Sequence, residues 1–86
     1  MIRIHGSFPN PFNPETTLSF ELPQAGEVHL AVYNLRGEKV ADLVNGYCAE
    51  GLHQVTWNAS HLASGIYLFQ LEAGNTVSVS KVVLTK

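Results

Sequence analysis

The sequence predicts an all-β fold, a single antiparallel sandwich of about seven short strands, on three observations. Turn signals recur at close spacing, at Ala25-Gly26, Arg36-Gly37, Asn45-Gly46, Glu50-Gly51, Ser64-Gly65 and Gly74-Asn75. The runs between them have strand length, alternate in polarity and are rich in β-branched and aromatic residues, the pattern of half-buried strands. No window of about 11–18 residues carries a helical period. Short strands at about 8–12-residue spacing point to a sandwich or barrel rather than to a βαβ fold.

The run Phe8-Pro9-Asn10-Pro11-Phe12-Asn13-Pro14 holds three of the four prolines. Proline fixes its own φ and pushes the residue before it toward extended geometry. Residues 1–14 are therefore expected to be a stiff Pro-rich lead-in from an upstream domain, with the sandwich over 15–86. Asn10 and Asn13 can bond their own backbone in Asx-type turns. In Thr17–Leu22 the inward set is Leu18, Phe20 and Leu22, and Pro23 ends the strand. From Glu27 to Asn34, Val28, Leu30 and Val32 point in, while His29, Ala31 and Tyr33 point out. Tyr33-Asn34-Leu35-Arg36-Gly37 reads as a hairpin turn, with Gly37 supplying positive φ and Asn34 capping it.

Lys39–Val44 is a short strand whose apolar spacing of three, Val40 to Leu43, implies a bulge or an irregular edge. His53, Val55 and Trp57 share one face of Leu52–Asn58, which places the only tryptophan in the core. Asn58–Ala63 is too short for a helix and reads as a loop with a single turn. In Gly65–Ala73, Tyr67, Phe69 and Leu71 face inward, and the apolar Ile66 and Leu68 opposite them suggest a central strand. In Thr76–Thr85, Val77 and Val79 are expected to face the core. The consecutive Val82-Val83-Leu84 then require a phase shift, expected as a bulge near Lys81. The Lys39–Val44 strand and the C-terminal strand are the expected edges.

Composition narrows the function classes. A chain of 86 residues makes one domain and buries only about 60–65% of its unfolded surface, enough for one core without a deep cleft beside it. Hydrophobic residues at 45% against 14% charged mark an ordered globule. The net charge is -2 and the five basic residues are scattered, which argues against nucleic acid as a partner. No stretch approaches the roughly 18 apolar residues of a membrane span. Met1–Gly6 has no apolar signal region, so an exported protein would carry this sequence as part of a longer chain. Cys48 is alone, which leaves no internal disulfide and no Cys-based zinc site.

His5, His29, His53 and His61 lack the spacing that sets two imidazoles on one side of an element. The carboxylates Glu15, Glu21, Glu27, Glu38, Asp42, Glu50 and Glu72 are scattered too, and no P-loop or dinucleotide glycine pattern is present. No catalytic residue, metal ligand or cofactor is expected, and the chain does not read as an enzyme.

Five segments together carry a family resemblance. They are Phe8–Pro14, Val32-Tyr33-Asn34-Leu35-Arg36-Gly37-Glu38-Lys39-Val40, Gly51–Asn58, Ser64-Gly65-Ile66-Tyr67 and the closing Lys81–Lys86. In this order and register the chain resembles, over residues 8–86, the C-terminal sorting domains of the type IX secretion system. It is also similar to the related immunoglobulin-like domain of flagellar hook-capping proteins. Phe8 stands where the family more often has Tyr, and Asn58 where Asp is common.

The resemblance implies an immunoglobulin-like sandwich that serves as the non-catalytic C-terminal module of a secreted multidomain protein. It would act as a type IX sorting signal, with attachment of the passenger to the cell surface. The implied partners are secretion-machinery proteins and an upstream passenger domain, and the implied location is secreted or cell-surface. The recognition residues it implies are Gly65, Ile66, Tyr67, Lys81, Val82, Val83, Leu84 and Lys86. Open edge strands would also allow a homo-oligomer. Two other readings stand beside this one. Exposure of Trp57, Tyr33 and Tyr67 in one line on a sheet face would favour a carbohydrate-binding accessory module, and the third reading is a purely structural module.

Overall fold

The computed structural model describes residues 2–86. Among them are seven strands: β1 (Arg3–Phe8), β2 (Glu15–Leu22), β3 (Gly26–Asn34), β4 (Lys39–Cys48), β5 (Gly51–Asn58), β6 (Gly65–Ala73) and β7 (Thr76–Leu84). They form a three-stranded sheet in the order β1-β2-β5 and a four-stranded sheet in the order β4-β3-β6-β7. All strand pairs are antiparallel. The chain changes sheet between β2 and β3, between β4 and β5, and between β5 and β6, giving an immunoglobulin-like sandwich.

Period-2 alternation decides which side chains meet between the sheets. Leu18, Phe20 and Leu22 of β2, Val28, Leu30 and Val32 of β3, and Tyr67, Phe69 and Leu71 of β6 are all buried. Trp57 is buried beside them, with its ring centroid 5.5 Å from Phe12, 5.6 Å from Tyr67 and 5.7 Å from Phe69. Offset and edge-on contacts of this kind add to the stabilisation that burial alone supplies. β6 lies between β3 and β7, the central position that its two apolar faces implied. The turn at Tyr33–Gly37 also forms as expected: the Asn34 side chain accepts the Arg36 and Glu38 amides at 2.9 and 3.0 Å, and Gly37 sits at φ 83°.

Four expectations are corrected. First, the supposed spacer before residue 15 is folded into the sandwich. Arg3–Phe8 pairs with β2 through a bulge at His5, and Phe12 is buried to 2% exposure. Second, Asn45-Gly46 is no turn but lies inside β4, opposite His29 and Val28. The ladder to β3 extends through it, and tertiary pairing overrides the local turn preference.

Third, the irregularity foreseen at Val40 and Leu43 is a pair of bulges. Both residues are skipped in the register to β3, which lets Val40, Ala41, Leu43 and Val44 all pack against the core. Fourth, β7 carries no bulge near Lys81: its register to β6 runs unbroken from Gly65↔Leu84 to Ala73↔Thr76. The parity of the buried Val82 and Leu84 therefore holds along the whole strand. Ser78 and Ser80 turn inward, while Val77 and Val79 face outward at 54% and 58% exposure.

Trp57 joins both sheets through its aromatic contacts. Replacing it with Ala should destabilise the domain by about 3–5 kcal/mol, the cost of emptying a large buried aromatic site, as read by denaturant unfolding. A loss below about 1 kcal/mol would contradict its place in the core.

Candidate functional site

The residues singled out in the sequence lie on the two arms of the β6–β7 hairpin, which sets them side by side. Gly65, Ile66 and Tyr67 open β6 and pair directly with Leu84, Val83 and Val82 at the end of β7. Strand parity then sorts them by face. Tyr67, Val82 and Leu84 are buried, whereas Ile66 and Lys81 are exposed and Val83 is half-buried on the outer face. Tyr67 is anchored at the corner where β6 begins, its hydroxyl donating to the Ala63 carbonyl at 2.6 Å. Lys86 reaches back to the loop after β5 and donates to the Ser60 carbonyl at 2.8 Å. Among the described residues the Lys81 ammonium has no partner.

What holds this strand end was not foreseen. β7 is the edge of its sheet, and an edge leaves every second residue with an unpaired N–H and C=O. The Pro-rich run covers the C-terminal half of that edge as a clasp. The Phe12 amide donates to the Val83 carbonyl at 2.9 Å, and the Thr85 amide donates to the Phe12 carbonyl at 2.9 Å. One turn further along the edge, the Asn10 side chain stands in for a backbone unit. Its carbonyl accepts the Val83 amide at 3.0 Å, and its amide donates to the Lys81 carbonyl at 3.3 Å. Thr16 fixes the run from beneath, donating from its buried hydroxyl to the Pro9 carbonyl at 2.8 Å. The available sequence signal was an aromatic residue, Phe12, flanked by prolines in an otherwise polar stretch.

The outer face of the four-stranded sheet divides in two. Towards β4 it is charged. His29 Nε2 lies 2.9 Å from Asp42 Oδ1 and its Nδ1 lies 3.4 Å from Glu72 Oε1, while Lys39 Nζ donates to Asp42 at 3.2 Å. Hydrogen bonds from His29 and then Lys39 hold the Asp42 carboxyl below its ordinary value of 3.8. Around the start of β6 the face is apolar, with Ile66 and Leu68 beside Tyr33 and the exposed Leu35, while on β7 the exposed Val79 and Val77 stand opposite Gln70 and Glu72. The outer face of the three-stranded sheet is more polar, with Thr17 and Thr56 joined at 3.0 Å and Gln54 bonded to Ser19.

No group of three or more His, Cys, Asp or Glu residues among the described residues is arranged to hold a metal ion. His5 pairs with Glu21 at 3.1 Å and His53 bonds the Ala49 carbonyl. No helix among the described residues is long and apolar enough to cross a membrane. The aromatic platform on which a carbohydrate-binding reading depended does not form, because Trp57 and Tyr67 lie in the core at 3% and 7% exposure.

A family model described as the secretion system C-terminal sorting domain matches residues 7–85. The chain matches none of the curated proteins.

Two outcomes follow from the geometry. Asn10→Ala removes two hydrogen bonds from the β7 edge and should cost about 1–2 kcal/mol, with faster hydrogen exchange at the Val83 amide. Unchanged exchange there would mean that the clasp does not hold β7. For Asp42, a carboxyl whose folded pKa is depressed adds stability above its unfolded pKa and loses it as pH falls through the folded value. Its NMR titration midpoint should lie below 3.8 and rise in Lys39→Ala; an unmoved midpoint would show that Lys39 does not contribute.

Proposed function

The chain belongs to the family of secretion system C-terminal sorting domains, and from that premise we propose that it is the C-terminal module of a longer exported protein, read by the secretion machinery as a folded surface. Domains of this family occur on proteins exported by type IX secretion to the cell surface or the extracellular space. The family is in general non-catalytic, and in the proposed reading this chain carries no catalysis of its own. Its upstream neighbour is the passenger, and attachment of that passenger at the cell surface is part of the proposal.

The observation that carries the reading beyond family membership is the pairing of Gly65-Ile66-Tyr67 with Val82-Val83-Leu84. The two segments are the arms of the β6–β7 hairpin, and the Asn10 and Phe12 contacts from the far end of the sequence complete their surface only when the sandwich is folded. Within it the proposed roles differ. Tyr67, Val82 and Leu84 shape the surface from the core, and Gly65 opens the strand that carries it. Ile66, Val83 and Lys81 present side chains on the outer face. Lys86, bonded to Ser60, fixes the course of the chain after β7. Self-association through edge strands has weaker support. Two bulges blunt the β4 edge, and Asn10 and Phe12 already occupy half of the β7 edge.

The test uses this chain joined to a reporter passenger in a type IX host. Deleting Lys81–Lys86 removes the buried Val82 and Leu84 together with the clasp contacts, so export should be lost and the melting temperature should fall. Replacing only Lys81 and Lys86 with Ala should leave the melting temperature within a few degrees, since exposed charges contribute about 0–1 kcal/mol, while export falls. Normal export of the double variant removes the lysines from the recognition surface. Normal export after the deletion sinks the sorting proposal and leaves a structural module as the reading.

A further inference from the structure

The clasp ends abruptly. Asn10 bonds the Lys81 carbonyl, and no part of the Pro-rich run makes a backbone hydrogen bond to β7 before that point among the described residues. In the unbroken register to β6, Val83 and Thr85 direct their backbone groups away from β6 and into the clasp. By the alternation of a strand, Val77 and Val79 do the same. Each therefore offers an N–H and a C=O on an open edge. Natural edges are usually guarded by lysine, proline or a bulge, and Thr76–Ser80 has none of these. Their side chains project on the outer face, where Val79 borders a hollow lined by Tyr33, Leu35 and Leu68 together with Asn34 and Gln70, and Val77 stands opposite Glu72.

We infer that Thr76–Ser80 is a strand-addition site that takes an extended segment of a partner protein. The inference rests on the sorting reading above and names the surface that the machinery engages. Backbone bonds to Val77 and Val79 would supply register, and alternate side chains of the added strand would lie beside the exposed Val77 and Val79 side chains, the arrangement by which exposed sheet edges take up peptides. The ladder stops at Lys81, where the Asn10 side chain blocks it. Lys81 is exposed, faces outward and has no anion among the described residues. The segment of Val77 to Ser80 is itself uncharged. The complementary occupant is a strand with an apolar body and a carboxylate at the end beside Lys81.

A second copy of β7 fits less well. In the two-fold register that sets Val77 against Val79 of the other copy, Lys81 falls opposite Asn75 and its charge stays unmatched.

The experiment again reads export of a joined passenger, beside the melting temperature of the chain. Val79→Pro removes one edge-facing N–H without touching the ladder to β6, and Val77→Lys places a charged guard on an exposed edge position. Each should lower export about tenfold, equivalent to about 1.4 kcal/mol, with melting within a few degrees of the parent. Val79→Thr keeps the N–H and the strand preference and should export normally. Lys81→Glu should lower export several-fold. If Val79→Pro proves unfolded, Val77→Lys decides. Parent-level export of the folded edge variants overturns the strand-addition site, and loss of export in Val79→Thr to the same degree overturns the backbone ladder as its basis. Parent-level export of Lys81→Glu overturns the acidic partner. Deletion of Lys81–Lys86 separates the two levels: if it blocks export while the edge variants do not, only this inference fails, and if it does not block export, the sorting reading fails as well.

Discussion

The sandwich depends on how its open corner between β1 and β7 is closed. The strands there belong to different sheets, so no ladder joins them. Phe12 closes the gap twice over. Its backbone bonds Val83 and Thr85 at 2.9 Å, and its ring sits against Trp57 in the core. A single residue thereby ties the edge of one sheet to the aromatic cluster that joins both. Removing either half would expose the other, because an unpaired edge admits water to the corner and an empty ring site lets the strand shift. Asn10 extends the closure toward Lys81, and Thr16 secures the run from below.

The alternating strands were legible because one buried face imposes a strict phase. Leu18, Phe20, Val28, Leu30, Trp57 and Phe69 are all in the core, where parity placed them. The errors arose where two rules competed. In β7 the valines at 77 and 79 suggested an inward phase, but Val82 and Leu84 set the opposite one. The unbroken ladder to β6 favours the phase that buries the larger residues at the clasped end. In β4 the Asn-Gly pair resembled a turn, yet β3 needed a partner along its full length. The Pro-rich run departs from expectation for a different reason. Proline constrains local geometry, and local geometry cannot reveal that a distant strand has an edge to be covered.

The candidate surface shows the same division. Its residues could be picked out from sequence, but not their assignment to faces. Val82 and Leu84 are buried in the core, whereas Val77 and Val79, expected inside, stand exposed. The signal for that reversal was present in Ser78 and Ser80, small polar residues with the parity of Val82. Small hydroxyl side chains can fill an inward position near the sheet's end at little cost, whereas two outward valines leave apolar area in water. Scattered exposed apolar residues are ordinary. Val79, however, borders a hollow with Tyr33, Leu35 and Leu68, while Val77 stands opposite Glu72 of the charged cluster.

That asymmetry bears on why a folded module, rather than a linear tail, would serve as a signal. A linear signal carries its information in consecutive residues and needs no partner segment. Here the strand that ends the chain is flanked by β6 on one side and by Asn10 and Phe12 on the other. β6 is the hairpin partner that immediately precedes β7, whereas Asn10 and Phe12 come from the far end of the sequence. The covered half of the edge, the open half and the outward lysine exist together only once all three segments have met. Unfolding would leave Val77, Val79 and Lys81 in the chain but erase the edge, the hollow and the boundary that Asn10 sets between them. On the proposed reading, recognition of this surface is therefore also a test that the domain has folded, and the contacts that stabilise the corner are the same ones that define what a partner can reach.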